Sequence, residues 1–296
     1  MINLYHGDCL EIMPVKIPDK SVDMILCDLP YGIDYLEWDV LHNNKNSSLG
    51  RQNKNMKQKG YKRTGKPING WSKEDRNIGN EYKKMLDKWF IPLYKKCKEG
   101  SPVLLFTSRR FQHKVSQSLE DSGFIIKDVL IWKKNKCHAK AQRISNIIKK
   151  RGMEINSSFD NYRIGNLKPF YEPIIYAFKP YSKTITDCFI NDKIGGFNCV
   201  NGIFPSNILE FDVSNNKYHE TEKPVDLLEF LIQTFSFEKQ TILDFTMGSG
   251  STGVACINTK RNFIGIEKEE NYFRIVEKRI NEAREQGNLF QAVVNG

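Results

Sequence analysis

Thr241-Ile242-Leu243-Asp244-Phe245-Thr246-Met247-Gly248-Ser249-Gly250-Ser251-Thr252-Gly253 carries the architecture of this chain in compressed form. Residues 241–245 are apolar or β-branched apart from Asp244, which predicts a buried strand. Glycines follow, and helical sequence resumes at about Ser251. Gly248 and Gly250 let the backbone come close to a ligand, and the start of the helix offers unpaired N–H groups. A second apolar run, 263–267, ends in Glu267, suited to accept hydrogen bonds from ribose hydroxyls. Gly248, Gly250 and Gly253 also spell G-x-G-x-x-G, the phosphate-binding fingerprint of nicotinamide enzymes. This unit alone therefore leaves S-adenosylmethionine and NAD both open, with a ligand-free turn as a third reading.

The same grammar recurs on both sides. Residues 2–5, 22–27, 103–107, 125–132 and 173–178 are short apolar runs that predict further strands. Helical spacing marks 81–98, where Met85, Trp89, Leu93 and Cys97 fall four apart, and also 110–121, 224–236 and 269–286. Pro224 suits the first position of its helix. Strands alternating with helices predict an α/β fold with a mostly parallel sheet covered on both faces. A chain of 296 residues supports one large core, so a single domain over 1–296 is expected.

A second motif sits where the strand at 22–27 runs out, in Asp28-Leu29-Pro30-Tyr31. Nicotinamide chemistry has no use for it, but methylation of an exocyclic amine does. The amine of adenine is a poor nucleophile because its lone pair is delocalised into the ring. Asp28 can accept one of its hydrogens and the Leu29 carbonyl the other, favouring the tetrahedral nitrogen that attacks a sulfonium methyl. Tyr31 can stack on an extruded base, with Pro30 completing the tetrapeptide. Taken alone, the tetrapeptide also reads as a strand-end turn with a buried tyrosine. A third segment, His219-Glu220-Thr221-Glu222-Lys223-Pro224, precedes an apolar helix. Thr221 and Lys223 can hold a cofactor carboxylate there, although a plain helix start accounts for the residues equally.

Net charge is +10, concentrated in two places. Ten lysines and arginines stand against two acids between residues 42 and 76, and eight stand against none between 133 and 151. Charge of one sign gathered this way suits a polyanion better than a solvated loop. Residues 36–77 lack apolar periodicity and are expected to form a basic mobile insertion. A second basic insertion is expected over 133–168, and a small target-recognition region over 180–218. The seven cysteines form no C-x-x-C pair, which argues against a disulfide framework and against a metal site. No run approaches the roughly 20 apolar residues of a membrane span, and the start does not read as a signal peptide, so a cytoplasmic protein without membrane contact is expected.

Together these segments resemble the N6-adenine/N4-cytosine DNA methyltransferases in the permuted, beta-class motif order. There a D-P-P-Y motif comes early, H-P-T-x-K-P late and D-x-F-x-G-S-G-T-T last. This chain has Asp28–Tyr31, then residues 219–224, then 244–252. Gly7-Asp8-Cys9-Leu10 resembles the family's G-D-x-L start, and Trp132-Lys133 and Tyr171-Glu172-Pro173-Ile174 its late-sheet strands. The resemblance implies a circularly permuted, Rossmann-like sheet of seven strands, the last antiparallel. It implies S-adenosylmethionine as cofactor, held by Asp8, Thr221, Lys223, Asp244, Thr246, Gly248, Gly250, Ser251, Thr252 and Glu267. It implies double-stranded DNA as substrate, with a second copy of the chain and a cognate restriction endonuclease as further partners. An Asp at the head of the tetrapeptide implies adenine N6, with cytosine N4 as the alternative and a non-catalytic nucleic-acid binder as the rival class. C5-cytosine chemistry needs a Pro-Cys nucleophile, and the chain has no such dipeptide. Leu29, Glu220 and Thr246 depart from the family pattern, where Pro, Pro and often Phe stand.

Overall fold

The computed structural model describes residues 1–30, 73–137, 141–154, 157–214 and 222–294. Tyr31, Thr221 and residues 36–72 of the expected first insertion lie outside the described residues. The strands are β1 (Ile2–His6), β2 (Met24–Asp28), β3 (Pro102–Phe106), β4 (Ile125–Lys134), β5 (Gln142–Arg143), β6 (Arg163–Ile164), β7 (Tyr171–Phe178), β8 (Ile208–Phe211), β9 (Thr241–Asp244) and β10 (Asn262–Glu267). The helices are α1 (Cys9–Lys16), α2 (Lys73–Lys96), α3 (Gln112–Asp121), α4 (Ile144–Lys150), α5 (Ile185–Asp192), α6 (Val225–Phe235), α7 (Ser251–Asn258) and α8 (Glu270–Val294).

Eight strands form one sheet in the order β1-β10-β9-β2-β3-β7-β4-β8, and β5 pairs only with β6. In the large sheet β7 alone runs antiparallel to its neighbours, lying between β3 and β4. All others point the same way, so their carboxyl ends share one edge. Every residue of β3 is buried, as expected for a strand covered on both faces. Alternate side chains feed two cores. Ile25, Cys27, Val103 and Leu105 pack with α1, α2 and α3; Met24, Leu26, Leu104 and Phe106 pack with α6, α7 and α8. The architecture is thus a three-layer α/β/α sandwich.

Three expectations need correction. The sheet has eight strands, not seven, because Ile208-Leu209-Glu210-Phe211 adds in parallel beside β4. Pro224 is the cap residue before α6 and not its first turn; its ψ of 131° is extended. Helix α2 already begins at Lys73, inside the insertion expected over 36–77. Among the described residues no helix is long and apolar enough to cross a membrane.

Candidate active site

The site is built from strand ends. β2 is flanked by β9 on one side and β3 on the other, which puts Asp28 in the middle of the carboxyl edge. The chain then leaves the sheet under restraint. The Leu29 amide donates to the Phe106 carbonyl at 3.2 Å, adding one rung to the β2–β3 ladder. The Tyr82 hydroxyl of α2 donates to the Pro30 carbonyl at 2.8 Å. This accounts for leucine where the resembled motif has proline. A proline at 29 has no N–H to give, whereas Leu29 both donates and buries its side chain in the core.

Lys223 meets Asp28 from the other side of the sheet. Its Nζ lies 2.5 Å from Asp28 Oδ2 and 3.5 Å from Glu172 Oε2. Glu172, at the start of β7, also pairs with Lys134 at the end of β4. The Lys223 side chain is only 6% exposed, that of Asp28 30%. Burial alone pulls the Lys223 ammonium down, but the charges of Asp28 and Glu172 outweigh it and hold the lysine above its ordinary range. The sequence reading put Lys223 at the cofactor's carboxylate; the fold adds a pairing with Asp28 that the sequence did not show. A buried cation is tolerated only when paired, and this one is paired with Asp28 and Glu172.

The glycine turn lies against the same edge. The Thr246 hydroxyl donates to the Asp28 carbonyl at 3.0 Å, tying the end of β9 to the end of β2. This is what threonine contributes at 246. Gly248 has φ of +54° and open space where a side chain would stand, a conformation and a clearance that suit a ligand approaching the backbone. Gly250 has φ of +81°, and a Cβ there would meet Val276 at 2.9 Å. The Gly248 amide donates to Glu267 Oε2 and the Glu269 amide to Oε1, both at 2.8 Å. A carboxylate has about four acceptor positions, so Glu267 can still take ribose hydroxyls. Burial pushes the Glu267 carboxyl up. Asp244 is buried more deeply, and its carboxyl is raised to about 7 by desolvation, against hydrogen bonds from Thr252, Cys27 and the Thr246 amide. Ser251 and Thr252, both buried, open α7.

Two further carboxylates frame the turn. Asp8 caps α1 by accepting the Leu10 amide at 2.9 Å and pairs with Lys268 at 3.1 Å. Burial opposes its charge, but that amide and Lys268 together hold the carboxyl below the usual range. Glu222 forms a buried pair with Arg279 of α8 at 2.7 Å. The same guanidinium donates to the Ser249 carbonyl at 2.8 Å, so α8 fixes the turn from behind. Asp8, Asp28, Leu29, Pro30, Lys223, Asp244, Thr246, Gly248, Gly250, Ser251, Thr252 and Glu267 thus gather at the carboxyl ends of β1, β10, β9 and β2. Sequence reasoning assigned no role to Tyr82, Glu172, Glu222, Lys268 or Arg279. Glu172 carried a signal in being charged at the head of an apolar strand; the others carried none.

The DNA methylase family, of the N6/N4 class, matches residues 22–278. The chain belongs to that family. This methylase is 37% identical to the Type II methyltransferase M.HindIII of Haemophilus influenzae over 97% of both chains. In fold it is similar to M1.HpyAVI in complex with SAM, with a TM-score of 0.54 at 22% identity over 95% of this chain and 100% of that one. It is similar also to the PvuII DNA methyltransferase, which is cytosine-N4-specific, with a TM-score of 0.57 at 16% identity over 100% and 93%. The methylase is a site-specific DNA methyltransferase, and the three-layer sheet is the fold its solved relatives share.

Proposed function

We propose that this methylase transfers a methyl group to N6 of an adenine flipped out of duplex DNA. The observation that carries the reading is Asp28 itself, a partly exposed carboxylate at the carboxyl end of β2. Lys223 pairs with it, and Thr246 binds it to the glycine turn. Asp28 accepts one N6 hydrogen and the Leu29 carbonyl the other, which restores the lone pair to the amine. Once the methyl is on nitrogen, the amine is cationic and gives a proton to Asp28, which passes it to water. Tyr31 follows directly in sequence and supplies a stacking face for the base.

S-adenosylmethionine is the cofactor, and when bound it supplies an electrophilic methyl on a sulfonium. Gly248 offers clearance, Glu267 and Asp8 offer carboxylates for hydroxyl and amine groups, and Asp244 and Thr246 shape the turn. With Lys223 engaged by Asp28, Thr221, Ser251, Thr252 and the amides opening α7 are the groups left to hold the amino-acid end. The motif order, with β1 pairing beside β10, is read as a circular permutation of the methyltransferase sheet. The Type II relative suggests a cytoplasmic enzyme of a restriction–modification system, working with a cognate endonuclease and as one or two copies.

Cytosine N4 is the second reading, since the cytosine-specific PvuII enzyme has the same fold. Nucleoside mass spectrometry of DNA treated with methyl-deuterated cofactor separates the two. Label in N6-methyldeoxyadenosine is expected; label in N4-methyldeoxycytidine contradicts the adenine assignment.

A further inference from the structure

The two ends of the strands carry different insertions. Residues 182–200, about half of the expected target-recognition region, are anchored at the amino ends. The Ser182 amide and hydroxyl donate to Glu99 at 2.9 and 2.8 Å. Gln240 donates to the carbonyls of Asp192 and Lys193 at 3.3 and 3.2 Å, and the Asn198 amide to that of Thr234 at 2.7 Å. Glu99 and Gln240 lie just before β3 and β9. They stand a strand's length from Asp28, roughly 17 Å for five residues. Only the end of this region, through β8, returns to the carboxyl edge.

The segment between β4 and β7 is placed the opposite way. It leaves the sheet after Lys134 and re-enters at Tyr171 on an antiparallel strand, so both roots stand on the Asp28 edge. At the root, Lys134 pairs with Glu172, which faces Lys223 and through it Asp28. Farther out the segment folds into a two-stranded antiparallel ribbon, β5 with β6, followed along the chain from β5 by α4. The ribbon's register sets Arg143 directly opposite Arg163 and Gln142 opposite Ile164. Both arginines are exposed. Like charges facing each other across a ladder are destabilising. Arg143, Arg163 and the α4-end residues Lys149, Lys150 and Arg151 form no ion pair among the described residues. An anion between the arginines turns that repulsion into binding.

We infer that the arm formed by β5, α4 and β6 is the element that enters duplex DNA, with Arg143 and Arg163 gripping it beside the flipped base. A two-stranded ribbon fits the major groove, where arginine and glutamine side chains read guanine and adenine edges. Lys149, Lys150 and Arg151 extend the grip along phosphates. The inference rests on the DNA methyltransferase reading and moves recognition from 180–218 to this arm.

The test uses the full chain and unmethylated genomic DNA. Affinity is measured without cofactor over a salt series, modified sites are mapped by sequencing, and cofactor affinity is measured by calorimetry. Arg143→Ala/Arg163→Ala is expected to weaken DNA binding at least tenfold and to flatten the salt dependence by about one unit for each phosphate left without its cation. Cofactor affinity and thermal midpoint are expected to stay the same. Arg143→Lys/Arg163→Lys is expected to restore affinity but relax the modified sequence. Lys183→Gln, at the amino edge, is expected to change neither. Unchanged affinity and unchanged sites in the alanine double variant overturn the inference, as does loss of DNA binding in Lys183→Gln. If the wild type binds DNA through the arm but transfers no methyl, the proposed function fails and the inference stands.

Discussion

Buried charge occurs at both ends of this sheet, but it is organised differently at each. At the amino ends each buried charge stops at the backbone or at a single ion partner, as Lys96 does at the exposed Asp19. Lys179 donates to the carbonyls of Tyr94 and Cys97 at 2.9 Å. Asp23 accepts the Thr241 amide at 2.7 Å and pairs with Lys98 at 2.6 Å. At the carboxyl ends the charges run in series instead. Lys134, Glu172, Lys223 and Asp28 alternate in sign and converge on one partly exposed carboxylate, while Arg279 and Glu222 brace the glycine turn beside it. Both ends carry desolvated cations, so burial of charge alone does not mark a site. What marks it is several such charges in series, converging on one partly exposed carboxylate.

Lys223→Met against Lys179→Met breaks or sharpens this contrast most strongly. The first removes the cation between Asp28 and Glu172 and leaves Glu172 to Lys134 alone, and methyl transfer is expected to fall by about 100-fold or more. The second removes hydrogen bonds to backbone and is expected to cost about 1–3 kcal/mol of stability with normal turnover per folded molecule. Steady-state kinetics beside urea denaturation reads both. Arg279→Met removes the cation from the buried Glu222 carboxylate and is expected to lower stability by about 3–5 kcal/mol, with weaker cofactor binding because Ser249 loses its brace. A pH-dependent effect concerns Asp244, whose carboxyl burial raises from the ordinary aspartate range to about 7. The folded state therefore holds this proton more tightly than the unfolded state. The stability it contributes is full below about pH 4 and is lost as pH rises through about 7, by at most about 1.4 kcal/mol per pH unit. Asp244→Asn should lack that decline when unfolding is followed between pH 4 and 8.

The parts of the fold legible in sequence were those whose physics is local. β2, β3, β9 and β10 are continuous apolar runs, and the glycine turn and the Asp28 tetrapeptide are contiguous. β8 was not legible, because four residues at a sheet edge with two exposed positions carry little pattern. Nor was α1, which contains Pro14 and is started by Asp8, a residue that reads as a ligand. In the site, the pairing of Lys223 with Asp28 was not legible, since Asp28 lies 195 residues away in the chain. Glu222 and Arg279 were silent for the same reason: their meaning depends on α8 folding back across the turn.

The most direct measurement is methyl transfer by Asp28→Asn, run beside cofactor binding by calorimetry. Asparagine keeps the size of the side chain but cannot take the proton released by the methylated amine, and it gives Lys223 no charge to pair with. Transfer to DNA is expected to fall by at least about 100-fold, with cofactor affinity within a few-fold of wild type. Turnover near the wild-type rate would contradict the account, because the amine would then be activated by something other than Asp28.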